Sequence, residues 1–153
     1  MTIEITTDRT RMDLATIHDF LSRDSYWAKG IPLPVLTRAL DQSLCFAALD
    51  GDALCGFARV ITDYATFAYV ADVFVLPTHR GRGIAHQLMD TITAHPSLQQ
   101  LRRWMLVTRD AHPLYAKHGF HLLDAPARHM ERLNKNPYAQ RRLRSSWLYK
   151  SGG

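Results

Sequence analysis

The chain has 153 residues, 46% of them hydrophobic and 22% charged, with a formal net charge of +5. That length fits one domain, and the apolar fraction excludes a disordered chain. The positive charge favours anionic partners without choosing among a nucleic acid, a phosphorylated cofactor and a membrane surface. No apolar run nears the roughly 20 residues that span a bilayer. The opening TIEITTDRTRMD lacks the apolar centre of a secretory leader, so a cytoplasmic location is expected.

In chain order, residues 2–6 alternate as a short strand does. Leu14, Ile17 and Leu21 recur at helical spacing over 11–22, with Thr10 and Asp13 as start signals. A loop over 25–34, with two prolines and a glycine, leads to a second helix over 34–42. Residues 44–50 and 53–63 flank the turn dipeptide Gly51–Asp52 and read as a hairpin, which a third run at 66–76 extends to an antiparallel meander. Ile84, Ala85, Leu88, Met89 and Ile92 form an apolar helical stripe ending near Ala94. A strand over 102–108, a short helix over 110–119 closed by Gly119, and two paired strands over 120–124 and 127–133 complete the order. The layout is α+β, or mixed α/β. Residues 1–138 are expected to form the domain and 139–153 a basic tail. Cys45 and Cys55 lie in apolar runs and are expected as buried free thiols on neighbouring strands.

The stretch ADVFVLPTHRGRGIAHQLMD, residues 71–90, carries the functional signal. An apolar strand breaks at Pro77, and Arg80, Gly81, Arg82 and Gly83 stand at the mouth of a helix. The first N–H groups of a helix have no internal partner, and the helix dipole adds positive charge there. Glycines let a ligand approach the backbone, and arginines add charge-assisted contacts. The pattern predicts an anion cradle between a strand and a helix. A dinucleotide fingerprint is excluded because His86 fills its third glycine position, and a P-loop is excluded because no Gly-Lys-Ser/Thr occurs.

At these residues the sequence resembles the GNAT superfamily of acyl-CoA-dependent N-acetyltransferases. Arg80, Gly83 and Ala85 match its Gln/Arg-x-x-Gly-x-Gly/Ala signature after the strand Val73–Phe74–Val75. Leu114, Tyr115, Gly119 and Phe120 match its later Leu-Tyr-x-x-x-Gly-Phe block. The resemblance covers residues 2–133 and implies a central mixed sheet flanked by helices on both faces. It implies acetyl-CoA as co-substrate, its pyrophosphate on the amides of Gly81, Arg82, Gly83, Ile84, Ala85 and His86 with the Arg80 region. Its pantetheine arm would pair with Val73, Phe74 and Val75, an N–H such as Val75's would polarise the thioester carbonyl, and Tyr115 would protonate the departing thiolate. The chain departs from the pattern at Thr108, where the family often has an asparagine that contacts pantetheine.

The chemistry needs a deprotonated amine, help for a developing oxyanion and a proton for the leaving group. Tyr115 arrives protonated at neutral pH. Asp72 is the first candidate for the base, with Asp63, Glu131 and His112 as alternatives and a water chain as a further route. Aromatic walls beside a carboxylate suit an organic cation, so the acceptor pocket is expected from Tyr26, Trp27, Asp63, Tyr64 and Tyr69. The eight histidines carry no metal-binding spacing, and no metal is expected. The leading function is acetyl transfer to a primary amine, small-molecule or peptide, by direct attack in a ternary complex. A non-catalytic acyl-CoA sensor and a basic nucleic-acid-binding module are the alternatives. A homodimer contact is expected from the late strands and Trp147, Leu148 and Tyr149.

Overall fold

Strict alternation along Leu44–Asp50 sets the architecture: Cys45, Ala47 and Leu49 join one core, while Phe46 and Ala48 join another. A strand buried on both sides needs a layer on each face. The computed structural model describes residues 2–138 and supplies both layers. Five strands, β1 (Ile3–Thr6), β2 (Leu44–Asp50), β3 (Ala53–Thr62), β4 (Phe67–Val75) and β5 (Arg103–Met105), lie side by side in that order. All pairs are antiparallel except β4 with β5. The first core packs α1 (Leu14–Asp19) and α2 (Leu33–Asp41) through Ile17, Leu36 and Leu40. The second packs α3 (Ile84–Ala94) through Ile84, Leu88, Met89 and Ile92. The short α4 (His112–Ala116) follows β5 and tolerates Pro113 in its first turn. The mixed sheet, its meander and the helices on both faces are those expected.

Local chemistry explains the boundaries. Asp13 caps α1 by accepting from the Thr16 amide and hydroxyl. The first helix does not continue as α to residue 22; after Asp19 it widens to a π-helical turn, Phe20–Asp24. Ser25 ends it by donating to the Leu21 carbonyl and accepting from the Ala28 amide. The expected strand at 102–108 shortens to three paired residues. The two strands expected over 120–124 and 127–133 do not form. The chain leaves the sheet after Met105, so that segment has no ladder to join. Phe120 instead packs edge-on against Trp104 and Tyr115, and a 3-10 turn spans Pro126–Arg128. Beyond Phe120 the larger apolar side chains find little cover: Leu122 is 78% and Met130 97% exposed. The dimer contact expected at those strands therefore lacks its strands, and Trp147, Leu148, Tyr149 and the basic tail lie outside the described residues.

Gly56 controls how α3 meets the sheet. A Cβ there would lie 3.2 Å from Ala48 Cβ, 3.2 Å from Ile84 Cγ2 and 3.3 Å from the Phe74 carbonyl oxygen. Glycine thus lets the first turn of α3 rest directly on β3, beside the end of β4. Gly56→Ala should cost about 1–3 kcal/mol as overpacking, read as a lowered midpoint in urea unfolding with an unchanged slope.

Both thiols are free and buried, Cys45 in one core and Cys55 in the other. Burial pushes the Cys45 thiol up to about 11 and raises that of Cys55. A thiol reagent at pH 8 should label neither in the native protein and both at the rate of unfolding, a result checked by mass spectrometry after timed quenching.

Candidate active site

The cleft begins where two neighbouring strands part. β4 and β5 pair only through Phe67 with Arg103, Ala68 with Trp104 and Tyr69 with Met105. Beyond Tyr69, β4 runs on without a partner on that side. It also carries a bulge: Phe57 faces Phe74 while Arg59 faces Ala71, so β4 holds one residue more than β3. Asp72 sits in the surplus segment with φ +55°, a left-handed conformation that Asp accepts more readily than most residues. After the bulge the Leu76 amide donates to the Cys55 carbonyl at 2.8 Å. Successive residues of a strand direct their amides to opposite sides, so the N–H and C=O of Val75 point away from β3, toward the open edge. Arg80 Nε donates to the Val75 carbonyl at 3.1 Å, which holds the arginine against that edge.

The loop after β4 delivers the second element. Gly81 and Gly83 have φ of +77° and +76°, where a side chain would be strained. Gly83 occupies the N-cap of α3, so no side chain caps the helix and no acid stands in its first turn. Val73, Phe74, Val75, Arg80, Gly81, Gly83, Ile84, Ala85 and His86 all line one cavity of about 390 Å³ against α4. Of the expected cofactor-side residues only Arg82 does not line it. His79, also on its wall, is held by Asp50 at 3.0 Å.

Tyr115 comes to this cavity from α4. Its ring is buried, and burial first, with the neighbouring Tyr26 second, pushes its phenol up to about 12. Its hydroxyl makes no hydrogen bond to any of the described residues. Tyr115 also lines a cavity of about 430 Å³ farther back along β4, from Tyr69 to Val73, and a third of about 280 Å³ against β5. Thr108 takes a role the sequence did not suggest: its hydroxyl accepts from the Ala111 amide at 3.0 Å and so fixes the start of α4.

The 430 Å³ cavity gathers Tyr26, Trp27, Tyr69 and Asp72, together with Arg59 and Tyr138. Asp72 accepts from Trp27 Nε1 at 2.8 Å through one oxygen and from Arg59 Nε at 2.8 Å through the other. Both ions are largely removed from water, with side-chain exposures of 8% for Asp72 and 16% for Arg59. Arg59 also donates to the Ser43 hydroxyl at 3.1 Å. Tyr26 accepts from the Arg109 amide at 3.1 Å, and the Arg109 guanidinium lies 3.9 Å over its ring.

Asp63 and Tyr64 are not brought to this cavity. Asp63 organises the β3–β4 turn: its carboxylate accepts from the Thr66 hydroxyl at 2.6 Å and from the amides of Thr66, Ala65 and Phe67. Those bonds, the Thr66 hydroxyl's first, hold it far below the ordinary carboxylate range. Tyr64 occupies a left-handed position in the same turn and is half exposed. Glu131 lines none of the three cavities around Tyr115, and His112 lines only the one against β5. Among the described residues no group of three or more His, Cys, Asp or Glu could hold a metal ion, and no helix is long and apolar enough to cross a membrane.

The cleft thus combines a strand edge opened by splaying, an uncapped helix start and a tyrosine on the wall of more than one cavity. The family model of the GNAT acetyltransferase domain matches residues 41–122, a span that runs from β2 through Phe120 and includes all three. The chain belongs to the GNAT family. It is 31% identical to a Gibberella zeae protein named "putative acetyltransferase", over 74% of this chain and 75% of that one. A crystal structure from Xanthomonas campestris pv. campestris, described as a "putative acetyltransferase belonging to the GNAT family", is 50% identical. It superposes with a TM-score of 0.88, covering 91% of this chain and 98% of that one. A Clostridium acetobutylicum protein solved with acetyl-CoA shares the fold at 17% identity and a TM-score of 0.59, covering 87% and 96%. The protein is an acyltransferase, and the GNAT match embraces both the cleft wall on β4 and the tyrosine on α4. Arg59 escaped the sequence reading because its partner is 13 residues away across a hairpin. The only signal was a lone arginine inside an otherwise apolar strand.

Proposed function

We propose that the protein transfers an acetyl group from acetyl-CoA to a primary amine by direct attack in a ternary complex. One observation carries this: Tyr115 forms part of the wall of both the cavity at the α3 start and the adjoining aromatic cavity along β4, which also share Val73. Two substrates lodged in the two cavities meet at its hydroxyl. The residues fit the cofactor, since uncapped amides, positive-φ glycines and an arginine make an anion cradle beside an unpaired strand edge. The Clostridium protein's acetyl-CoA complex supports the same reading.

Acetyl-CoA supplies an acyl group already activated as a thioester. The amides of residues 81–86 hold its pyrophosphate with Arg80, and Arg82 adds positive charge to the approach. The open edge of β4 at Val73 and Val75 holds its pantetheine arm as an added strand, with the Val75 carbonyl shared with Arg80. The Val75 N–H donates to the thioester carbonyl oxygen and meets the negative charge that develops there; fixed in a strand, it needs no reorganisation. Tyr115 gives its phenolic proton to the departing sulfur. Tyr26, Trp27 and Tyr69 wall the acceptor. Both oxygens of Asp72 are engaged, so its role is to hold Trp27 and Arg59 in place, and the amine's proton passes to water.

Calorimetry with acetyl-CoA, followed by thiol release against a panel of amines, tests the proposal. The expected result is saturable cofactor binding and turnover with at least one primary amine. Binding without turnover over a broad panel would favour a sensor. Salt-sensitive nucleic-acid binding without cofactor uptake would favour the basic module.

A further inference from the structure

His86 reaches past the cofactor-side cavity to a second histidine. Its Nδ1 lies 3.0 Å from His118 Nε2, and the two rings are 5.2 Å apart at 35°. His118 Nδ1 in turn lies 3.3 Å from Asp90 Oδ1. The three come from two elements: His86 and Asp90 stand four apart on α3, and His118 follows α4. His118 is the buried member at 7% side-chain exposure, whereas Asp90 is 75% exposed. His86 lines the cavity assigned to the cofactor, and its Nε2 has no hydrogen-bond partner among the described residues.

The carboxylate of Asp90 stands 3.3 Å from His118 Nδ1 without forming an aligned hydrogen bond; because an ionised carboxylate only accepts, its charge favours the His118 tautomer that carries the proton on Nδ1. With the pair neutral, His118 Nε2 is then bare, the proton in the His86–His118 bond belongs to His86 Nδ1, and His86 Nε2 is a bare acceptor. The bridge between the rings has room for one proton. A further proton must therefore end on His86 Nε2, whether it binds there directly or enters through His118 with a tautomer change in His86. Adding one proton converts the polar atom left to His86 from an acceptor to a donor and makes the pair cationic. Asp90 favours that form. The other titratable or charged groups around the ring are His79, Arg80 and Tyr115 on the cavity wall, with Arg82 beside Gly83.

We propose that His86 is an anion-binding residue whose Nε2 donates to a phosphate oxygen of the cofactor, that His118 and Asp90 are its positioning residues, and that cofactor binding draws one proton onto the pair. This rests on the acetyl-CoA reading. A phosphate in the cavity is repelled by a bare Nε2 and welcomed by a protonated one, so affinity and protonation are linked.

The test is titration calorimetry of the full chain with coenzyme A, repeated in buffers of different ionisation enthalpy, from pH 6 to 8. The wild type is expected to take up protons on binding. Relative to His86→Gln, its Kd should rise about tenfold across that range, as linkage requires when a proton is taken up with the ligand. The ligand's own phosphate ionisation is common to both proteins and cancels. Asp90→Asn, at an exposed site that should not disturb folding, keeps an acceptor for His118 but removes the charge. It should shrink the uptake while leaving binding measurable at pH 6. Uptake unchanged in both variants, or a wild-type Kd with the pH dependence of His86→Gln, would overturn the proposal while leaving the acetyl-CoA reading intact. If the wild type does not bind coenzyme A at all, both fall together.

Discussion

Tyr115→Phe should lower kcat by about 10²–10⁴-fold, the usual weight of a positioned general acid, while acetyl-CoA affinity stays as in the wild type. Phenylalanine keeps the ring that packs against Phe120 and removes only a hydroxyl without a partner among the described residues. A structural tyrosine would show the reverse pattern, with lost stability and preserved turnover. Steady-state kinetics beside cofactor calorimetry separates the two. The pH profile adds a second check. Burial holds the phenol up to about 12, so Tyr115 stays protonated through pH 10, and the rate should climb with pH as the acceptor amine, near 10.4 in water, loses its proton. Stability moves the other way. In the unfolded chain a tyrosine ionises near 10, so the folded state keeps its proton longer. The resulting stabilisation is complete below pH 10 and is lost as pH rises toward 12. Tyr115→Phe should flatten that decline, as read by urea unfolding at pH 9 and 11.

Asp72→Asn should cost about 3–5 kcal/mol of stability, the range found when one partner of a buried ion pair is removed. Asparagine tolerates the left-handed backbone at this position about as well as aspartate, so the loss isolates charge from backbone geometry. Asparagine offers one acceptor oxygen to the two donors that Asp72 serves, so Trp27 Nε1 or Arg59 Nε faces an NH2 group, and Arg59 stays largely out of water without the charge of Asp72 beside it. On a chain of this size that loss lowers the melting temperature by roughly 10 °C or more. The double variant Asp72→Asn with Arg59→Met should recover part of the loss, because no unpaired cation remains. Turnover per folded molecule should fall far less than with Tyr115→Phe. A collapse of turnover at low temperature, with the fold intact, would instead return Asp72 to the role of base.

The elements that carry the site were legible because each obeys a local rule. Apolar runs around the Gly51–Asp52 turn marked β2 to β4, helical spacing marked α3, and the glycines beside Arg80 marked the break between them. The segment after Gly119 was misread for a physical reason: short apolar-polar runs resemble strands, but a strand also needs a partner, and β5 ends at Met105. The acceptor side was half legible. Tyr26, Trp27 and Tyr69 converge, whereas Asp63 is consumed by its own turn, a use that its spacing to Thr66 already allowed. The Arg59–Asp72 pair and the His86–His118 contact depend on which residues face each other across elements, and no single stretch of sequence records that.

The surplus residue in β4 has a reach beyond its own position. Counted back from Ala71 without it, Val73 would stand opposite Phe57 and Phe74 opposite Gly56. Phe74 would leave its stack on Phe20, 4.1 Å between centroids, and press toward Ile84, where a single methyl on Gly56 is already tight. The Val75 amide would turn inward at the same time. Deleting one residue at 71–73 therefore does not shorten the protein so much as reverse the parity of its reaction edge. Homologous chains that keep this chemistry should vary in length before Phe67 or after Gly119, and hold this count fixed.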